Sequence, residues 1–374
     1  MLVLFVTYIC TAMKNILKTL ILFVFISCSD SNTVQDNVDS FDRSSLLSEL
    51  TNNLIVPAHD NFALTFSVFE SDFERFSSDL SIPNLQKLRS SFIDSYMAWQ
   101  HIEMFNIGKA EEIYYNLKTN SYPTNILRID ANKKNNSLDL DIPNENNYPT
   151  QGFPAVDYFL FGIAETDEMI LNELSDATNL SYLNLLVQKI STNSESVINF
   201  WKNNSQDFAN SADSSQSSNL NMLANDFVYY YEKGLRANKI GIPAGRWSNK
   251  LPNNVEAVYS KVYSKNLAIE GLKASKNFFL GLNFNTGTPS EFSFRTYVDY
   301  LDTDNSLSDL IIESFDNSMS KLQVLNDDFS YQVDNNNSQM LEAYDAIQEG
   351  VVYLKTDMLS LLSISVDYMD ADGD

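Results

Sequence analysis

Histidine is almost missing from this sequence: His59 and His101 are the only two in 374 residues. A Ser-His-Asp triad or a multi-histidine zinc site cannot be assembled convincingly from such a supply. Cysteine is equally scarce, with Cys10 and Cys28 alone. Both lie in the first 28 residues, so the body has no disulfide and no thiolate metal site. Eleven glycines and nine prolines are too few for a chain of many tight β-turns. No Gly-rich loop able to cradle phosphate is present. Positive charge is short as well: 25 Lys and Arg stand against 49 Asp and Glu, a formal net charge of −24. That balance excludes a phosphate-binding, nucleic-acid partner and a polybasic attachment to an anionic membrane.

What is present is apolar surface. Hydrophobic residues make up 44% of the chain and aromatics 12%, enough to build a core rather than a disordered chain. At roughly 100–200 residues per domain, the length suggests two domains.

The N-terminus reads as a targeting segment over residues 1–28. Lys14 and Lys18 precede the apolar run Leu20-Ile21-Leu22-Phe23-Val24-Phe25-Ile26, which is too short to span a bilayer. The run ends at Ser27-Cys28 and the chain turns abruptly polar. An apolar stretch, a small residue and then Cys is similar to a bacterial lipoprotein cleavage site, with Cys28 the lipidated residue; the rival is a plain secretory signal with an incidental Cys. Acyl chains on Cys28 would anchor a soluble body to a membrane. Met13-Lys14-Asn15 makes a better signal start than Met1. Residues 29–42, rich in Ser, Asn and Asp, read as a flexible tether.

Beyond the tether the chain reads as helix after helix. Leu47, Leu50, Leu54, Ala58, Phe62, Phe66, Phe69, Phe73 and Phe76 recur at spacings of three or four, an apolar stripe with Pro57 as a source of a kink. Leu85, Leu88, Phe92, Tyr96 and Trp99 form the next stripe. Residues 106–151 lack periodicity and read as a long irregular connection. Pro154 opens a short helix. Further helices are expected over 180–204, 219–238, 253–281, 304–328 and 338–368, with a Gly/Pro turn from Lys239 to Arg246. The expected fold is all-α: two helical bundles, residues 43–210 and 211–374.

The candidate chemical groups are those that break this pattern. Glu103 continues the apolar stripe after Trp99, so it is paired, protonated, metal-bound, or already in solvent. Asp157 stands one turn after Pro154 among apolar neighbours; an acid there is either a site group or a partner of the helix dipole. His101 is two residues from Glu103 and does not share its face. Lys239 and Arg246 flank Gly241, as neutralisers of a buried carboxylate or as a solvated loop. The C-terminal Asp370-Ala371-Asp372-Gly373-Asp374 starts like a calcium loop but lacks the closing ligands, and it reads as a solvated tail.

Gln151-Gly152-Phe153-Pro154-Ala155-Val156-Asp157-Tyr158-Phe159-Leu160-Phe161-Gly162 resembles the signature of the imelysin family, insulin-cleaving membrane proteases. That signature has the form GxHxxE followed by an aromatic and aliphatic run. The stretch from Ala98 to Gly108, the segment Lys239 to Gly245 and Val255-Glu256-Ala257 are similar to other parts of the family, and the likeness runs from about residue 45 to 365. The lipoprotein-like start and asparagine-rich style resemble Bacteroidetes members. The resemblance implies an all-α pair of bundles with a site where they meet, in an envelope protein associated with iron uptake. It implies a peptidase in some relatives. Matched by position, Gly152 is the motif Gly, Pro154 replaces the His and Asp157 replaces the Glu. Pro has no ligand atom, so a zinc-activated water loses its nitrogen ligand. The surviving donors, Glu103, Asp157 and His101, suit iron or calcium more than zinc, and a site that binds no metal is the equal alternative. The expectation is a non-catalytic, lipid-anchored protein of the cell envelope, at the outer membrane, binding iron, a ligand or a partner of an iron-uptake system. The alternatives are a metal-dependent peptidase and a purely structural interaction protein.

Overall fold

The structure, a computed structural model, describes residues 39–135, 138–211, 218–304 and 306–368. The signal segment with Cys28, the tether as far as residue 38, part of the loop at the expected domain boundary and the acidic C-terminal run lie outside the described residues. The described residues from Phe41 on belong to one compact unit.

The long helices follow from the stripes. Helix α1 (Arg43–Leu50) starts at Asp42, whose side chain accepts from the Ser45 N–H. It runs through a π-helical turn, Thr51–Ile55, into α2 (Val56–Ser78). Pro57 has no N–H to donate and sits in the first turn of α2, so the wide turn before it absorbs the missing bond. Helix α2 packs along α3 (Ile82–Trp99). Tyr115–Asn120 (α4) and Gly152–Asp157 (α5) are short, and α6 (Ala177–Ala209) is the longest, capped by Asp176. Helices α2, α3, α5 and α6 form the first packed group. Helix α7 (Asn219–Tyr229), capped by Ser218, leads into a π-helical segment, Tyr230–Gly241. That segment packs with α8 (Ser264–Leu280) and α10 (Asn337–Val351), and α9 (Ser306–Gln323) joins them as a second group. Helix α8 also touches α3 across the two groups. Among the described residues there is no strand, only an isolated bridge between Leu282 and Pro289. The fold is all-α.

Three expectations change. The 106–151 connection is not structureless: it contains Lys109–Glu112, α4, Ile126–Asn132 and a 3-10 turn at Tyr148–Thr150. The expected turn from Lys239 is helical as far as Ala244 and ends at Gly245, whose φ of 73° stops it. Residues 255–263, expected to begin a helix, form a non-helical turn with Ala257 at φ 54° and Lys261 at φ 63°.

The motif segment is built into the aromatic core. Phe153 stacks on Tyr96 with ring centroids 4.5 Å apart and also meets Phe62, Phe66 and Trp99. This fixes α5 against α2 and α3 before any polar contact is considered.

Candidate functional site

The polar centre of the molecule is a buried group of carboxylates, an ammonium and amides. Helix α3 ends at Trp99, and the following turn brings Glu103 round, its N–H bonded to the Trp99 carbonyl. The Asn116 amide donates to the Glu103 carbonyl at 2.7 Å, fixing that turn. Lys239 comes from the π-helical segment and is 2% exposed. Its Nζ lies 2.7 Å from Glu256 Oε2 and 3.2 Å from Glu103 Oε2. Asn120, at the end of α4, donates to Glu103 Oε1 and Glu256 Oε1, both at 2.7 Å, and accepts from the Tyr96 hydroxyl at 2.6 Å. Gln100 adds a longer donation to Glu256 at 3.2 Å.

Burial works against a charged Lys239, but Glu103 and Glu256 together outweigh it and hold the ammonium above the ordinary lysine range. Tyr96, Tyr122 and Tyr230 are pushed well above the usual phenol value, first by burial and then by the charge of Glu256 and Glu103. They are neutral hydroxyls at any physiological pH. The Tyr230 hydroxyl lies near Glu103 without meeting hydrogen-bond geometry, against the bare backbone of Gly271 on α8.

Asp157 has a different task. It is fully buried, and its two oxygens accept the backbone N–H groups of Tyr259 (2.9 Å) and Ser260 (3.2 Å). Burial pushes its carboxyl up to about 7, against the pull of those bonds. The carboxylate thus clamps the 255–263 turn, and that turn carries Glu256 to Lys239. The Glu256 carbonyl is held in turn by the Ser264 hydroxyl at the start of α8. Gly152 makes the approach of α5 possible: its φ is 75°, and a Cβ there would stand 2.2 Å from the Thr119 carbonyl oxygen. Pro154 is buried, and its carbonyl accepts from the Thr124 hydroxyl at 2.9 Å.

The remaining candidates are elsewhere. His101 points to Glu270 (3.3 Å) and the edge of Phe284, beside a small cleft with Leu54 and Asn277. Gly241 lies under Tyr344 and Trp247. Arg246 sits over the Tyr344 ring and 3.7 Å from Asp345, both partners at the surface. Glu103, Lys239 and, through its turn, Asp157 are therefore brought into one centre, whereas His101 and Arg246 are not. Sequence reasoning missed Asn120, Tyr96 as a polar group, and Glu256 as a site residue. Glu256 was visible only as part of a likeness, since a lone Glu in an expected helix carries no signal.

These residues do not fit a resident metal. Pro154 has no donor, Asp157 spends its oxygens on backbone N–H groups, and Glu103 already faces an ammonium. Among the described residues no group of three or more His, Cys, Asp or Glu is placed to hold a metal ion.

Glu103, Asn120 and Tyr230 are among the residues that line a cavity of about 610 Å³. Its walls carry Glu111, Asp226 and Asp367, and the tyrosines 114, 122, 229 and 368. Among the described residues no Lys, Arg or His lines it. The size suits a small molecule.

The family model described as Imelysin matches residues 55–354. A solved structure of a protein from Parabacteroides distasonis, assigned as an iron-regulated protein A precursor, superposes with a TM-score of 0.70 at 15% identity, covering 86% of this chain and 95% of its own. An imelysin-like protein from Psychrobacter arcticum gives a TM-score of 0.68 at 17% identity, covering 87% and 97%. At such identities the likeness concerns the fold. No curated protein matches the chain.

Proposed function

The chain belongs to the imelysin family, and from that premise we propose that it binds a small ligand in the cavity above Glu103 without cleaving peptides. It does so as a component of an iron-uptake system, lipid-anchored through Cys28 at the outer membrane of a bacterial envelope. The observation that carries the reading is Lys239. Its ammonium, 2.7 Å from Glu256 and 3.2 Å from Glu103, already neutralises the carboxylates that a metal would otherwise use. A carboxylate pair neutralised from within has no Lewis acid and no metal-bound water to offer. Pro154 and Asp157, in place of the family's His and Glu, act in the same direction. The relation to iron is supported by the name of the Parabacteroides protein that shares the fold.

Incubation of the purified protein with insulin B chain, with and without a chelator, tests the non-catalytic part. No cleavage above a buffer control is expected; cleavage abolished by the chelator overturns it. Calorimetric titration with calcium and with ferric citrate is expected to give no one-to-one heat assignable to Glu103 or Asp157. Stoichiometric binding lost in Asp157→Ala would restore a metal centre. The anchor is tested by labelling with a radioactive fatty acid: the label is expected in the membrane fraction and lost in Cys28→Ala.

A further inference from the structure

The cavity beside Glu103 presents apolar faces and amides together. Tyr114, Leu117, Tyr229 and Ile242 line it, and all four are exposed. Among them stand Asn106, Asn238 and Asn254, whose side-chain amides hydrogen-bond to no other described residue. The Asn116 amide donates to the Glu103 carbonyl, which leaves its side-chain oxygen as an acceptor on the wall. Tyr114 adds a separate observation. Its backbone stands at φ 57° and ψ 43°, in the left-handed region, where a bulky residue is an outlier. Strain of this kind persists only where the surrounding fold holds it, and it gathers at ligand sites. Here it belongs to a residue whose exposed ring forms part of the cavity wall.

The lining decides the class of ligand. Among the described residues no Lys, Arg or His reaches it, so an anion finds no partner there. No three described acids gather on one point, which leaves out a metal ion. An organic cation gains little. Glu111 and Asp367 are exposed and screened by water and salt. Burial, with Asp367 and Glu111 nearby, pushes the Asp226 carboxyl up to about 7. The Tyr368 face already holds the Lys355 ammonium, 5.2 Å from the ring centre. A purely apolar ligand would strip water from the amides and return no hydrogen bond. A neutral, polyhydroxylated ring meets each part of the wall. Its C–H faces pack on tyrosine rings. Its hydroxyls donate and accept as the amides do, and they donate to carboxylates.

Resting on the small-ligand reading given above, we infer that the cavity takes a neutral oligosaccharide, its rings packed on Tyr114 and Tyr229 and its hydroxyls bonded to Asn106, Asn238 and Asn254. A volume of about 610 Å³ gives room for a short chain of rings. The purified protein applied to an array of neutral and uronic-acid oligosaccharides tests it. Calorimetric titration follows with the best neutral binder, and with citrate and spermidine as comparators. Saturable one-to-one binding of a neutral oligosaccharide is expected, weakened tenfold or more in Tyr229→Ala and in Asn238→Ala, both at exposed positions. Circular dichroism of both variants checks that they fold. Sugar affinity unchanged in the two folded variants overturns the inference. So does binding of uronic acids, citrate or spermidine with neutral sugars silent, an outcome that leaves the small-ligand reading standing. Silence from every probe overturns both.

Discussion

Lys239 is the residue on which the buried centre depends most. Its two carboxylate partners are 2% and 12% exposed, so its removal strands two negative charges away from water. Breaking a buried ion pair by removing one partner costs about 3–5 kcal/mol. Lys239→Met is expected to lose that much in urea unfolding, while the double variant Lys239→Met/Glu256→Gln recovers part of it; equal losses would place the effect in packing. Asp226 gives a pH-dependent outcome. Its folded carboxyl titrates at about 7 against an ordinary 3.8. The folded chain therefore keeps a proton that the unfolded chain releases, and the associated stability is full below about 4 and lost as pH rises through 7. Asp226→Asn escapes that loss. Its melting temperature relative to the parent is expected to rise by a few degrees, about 2–4 °C, between pH 4 and pH 8. A flat difference would mean that Asp226 is ionised throughout. His101 contrasts with both: partly exposed and paired with Glu270, it is expected to tolerate Ala within about 0.5 kcal/mol.

At the scale of elements, the site is made by helix ends and interruptions rather than helix faces. Glu103 follows the end of α3, Asn120 ends α4, Asp157 ends α5, and Lys239 lies in a π-helical stretch. Such places leave backbone groups open and turn side chains off the regular stripe. This is why the sequence shows Glu103 and Asp157 as oddities yet hides Glu256. The first two interrupt apolar patterns, but Glu256 occupies a turn that exists because Asp157, about a hundred residues away, binds its backbone. Gly152 is the joint between α5 and α4. Gly152→Ala would put a Cβ against the Thr119 carbonyl at a φ of 75°. A loss of about 2 kcal/mol or more in chemical denaturation is expected; a loss under about 0.5 kcal/mol would mean that α4 can shift freely.

The whole molecule carries a formal charge of −24. Self-repulsion of that size opposes the compact state and is screened by salt. The melting temperature is expected to rise between 10 mM and 300 mM NaCl, and a fall would show that surface ion pairs outweigh the repulsion. The chain's last described residues also act at this scale. The Asn225 amide donates to the Ser365 carbonyl and accepts from the Asp367 N–H. The Tyr368 hydroxyl reaches the buried Glu232 at 2.9 Å. Residues from the far end of the chain thereby become a wall of the cavity.

Local pattern was enough to read the helical class and the register of the long apolar stripes, because a Phe every three or four positions must face a core. Only the packed chain shows that Lys239 meets Glu103 and Glu256, that Asp157 holds the backbone of the 255–263 turn, and that a cavity with no described Lys, Arg or His in its lining opens beside them. Those contacts join residues as many as 136 positions apart. Their geometry depends on where helices stop and how two packed groups meet, which no spacing along the chain encodes.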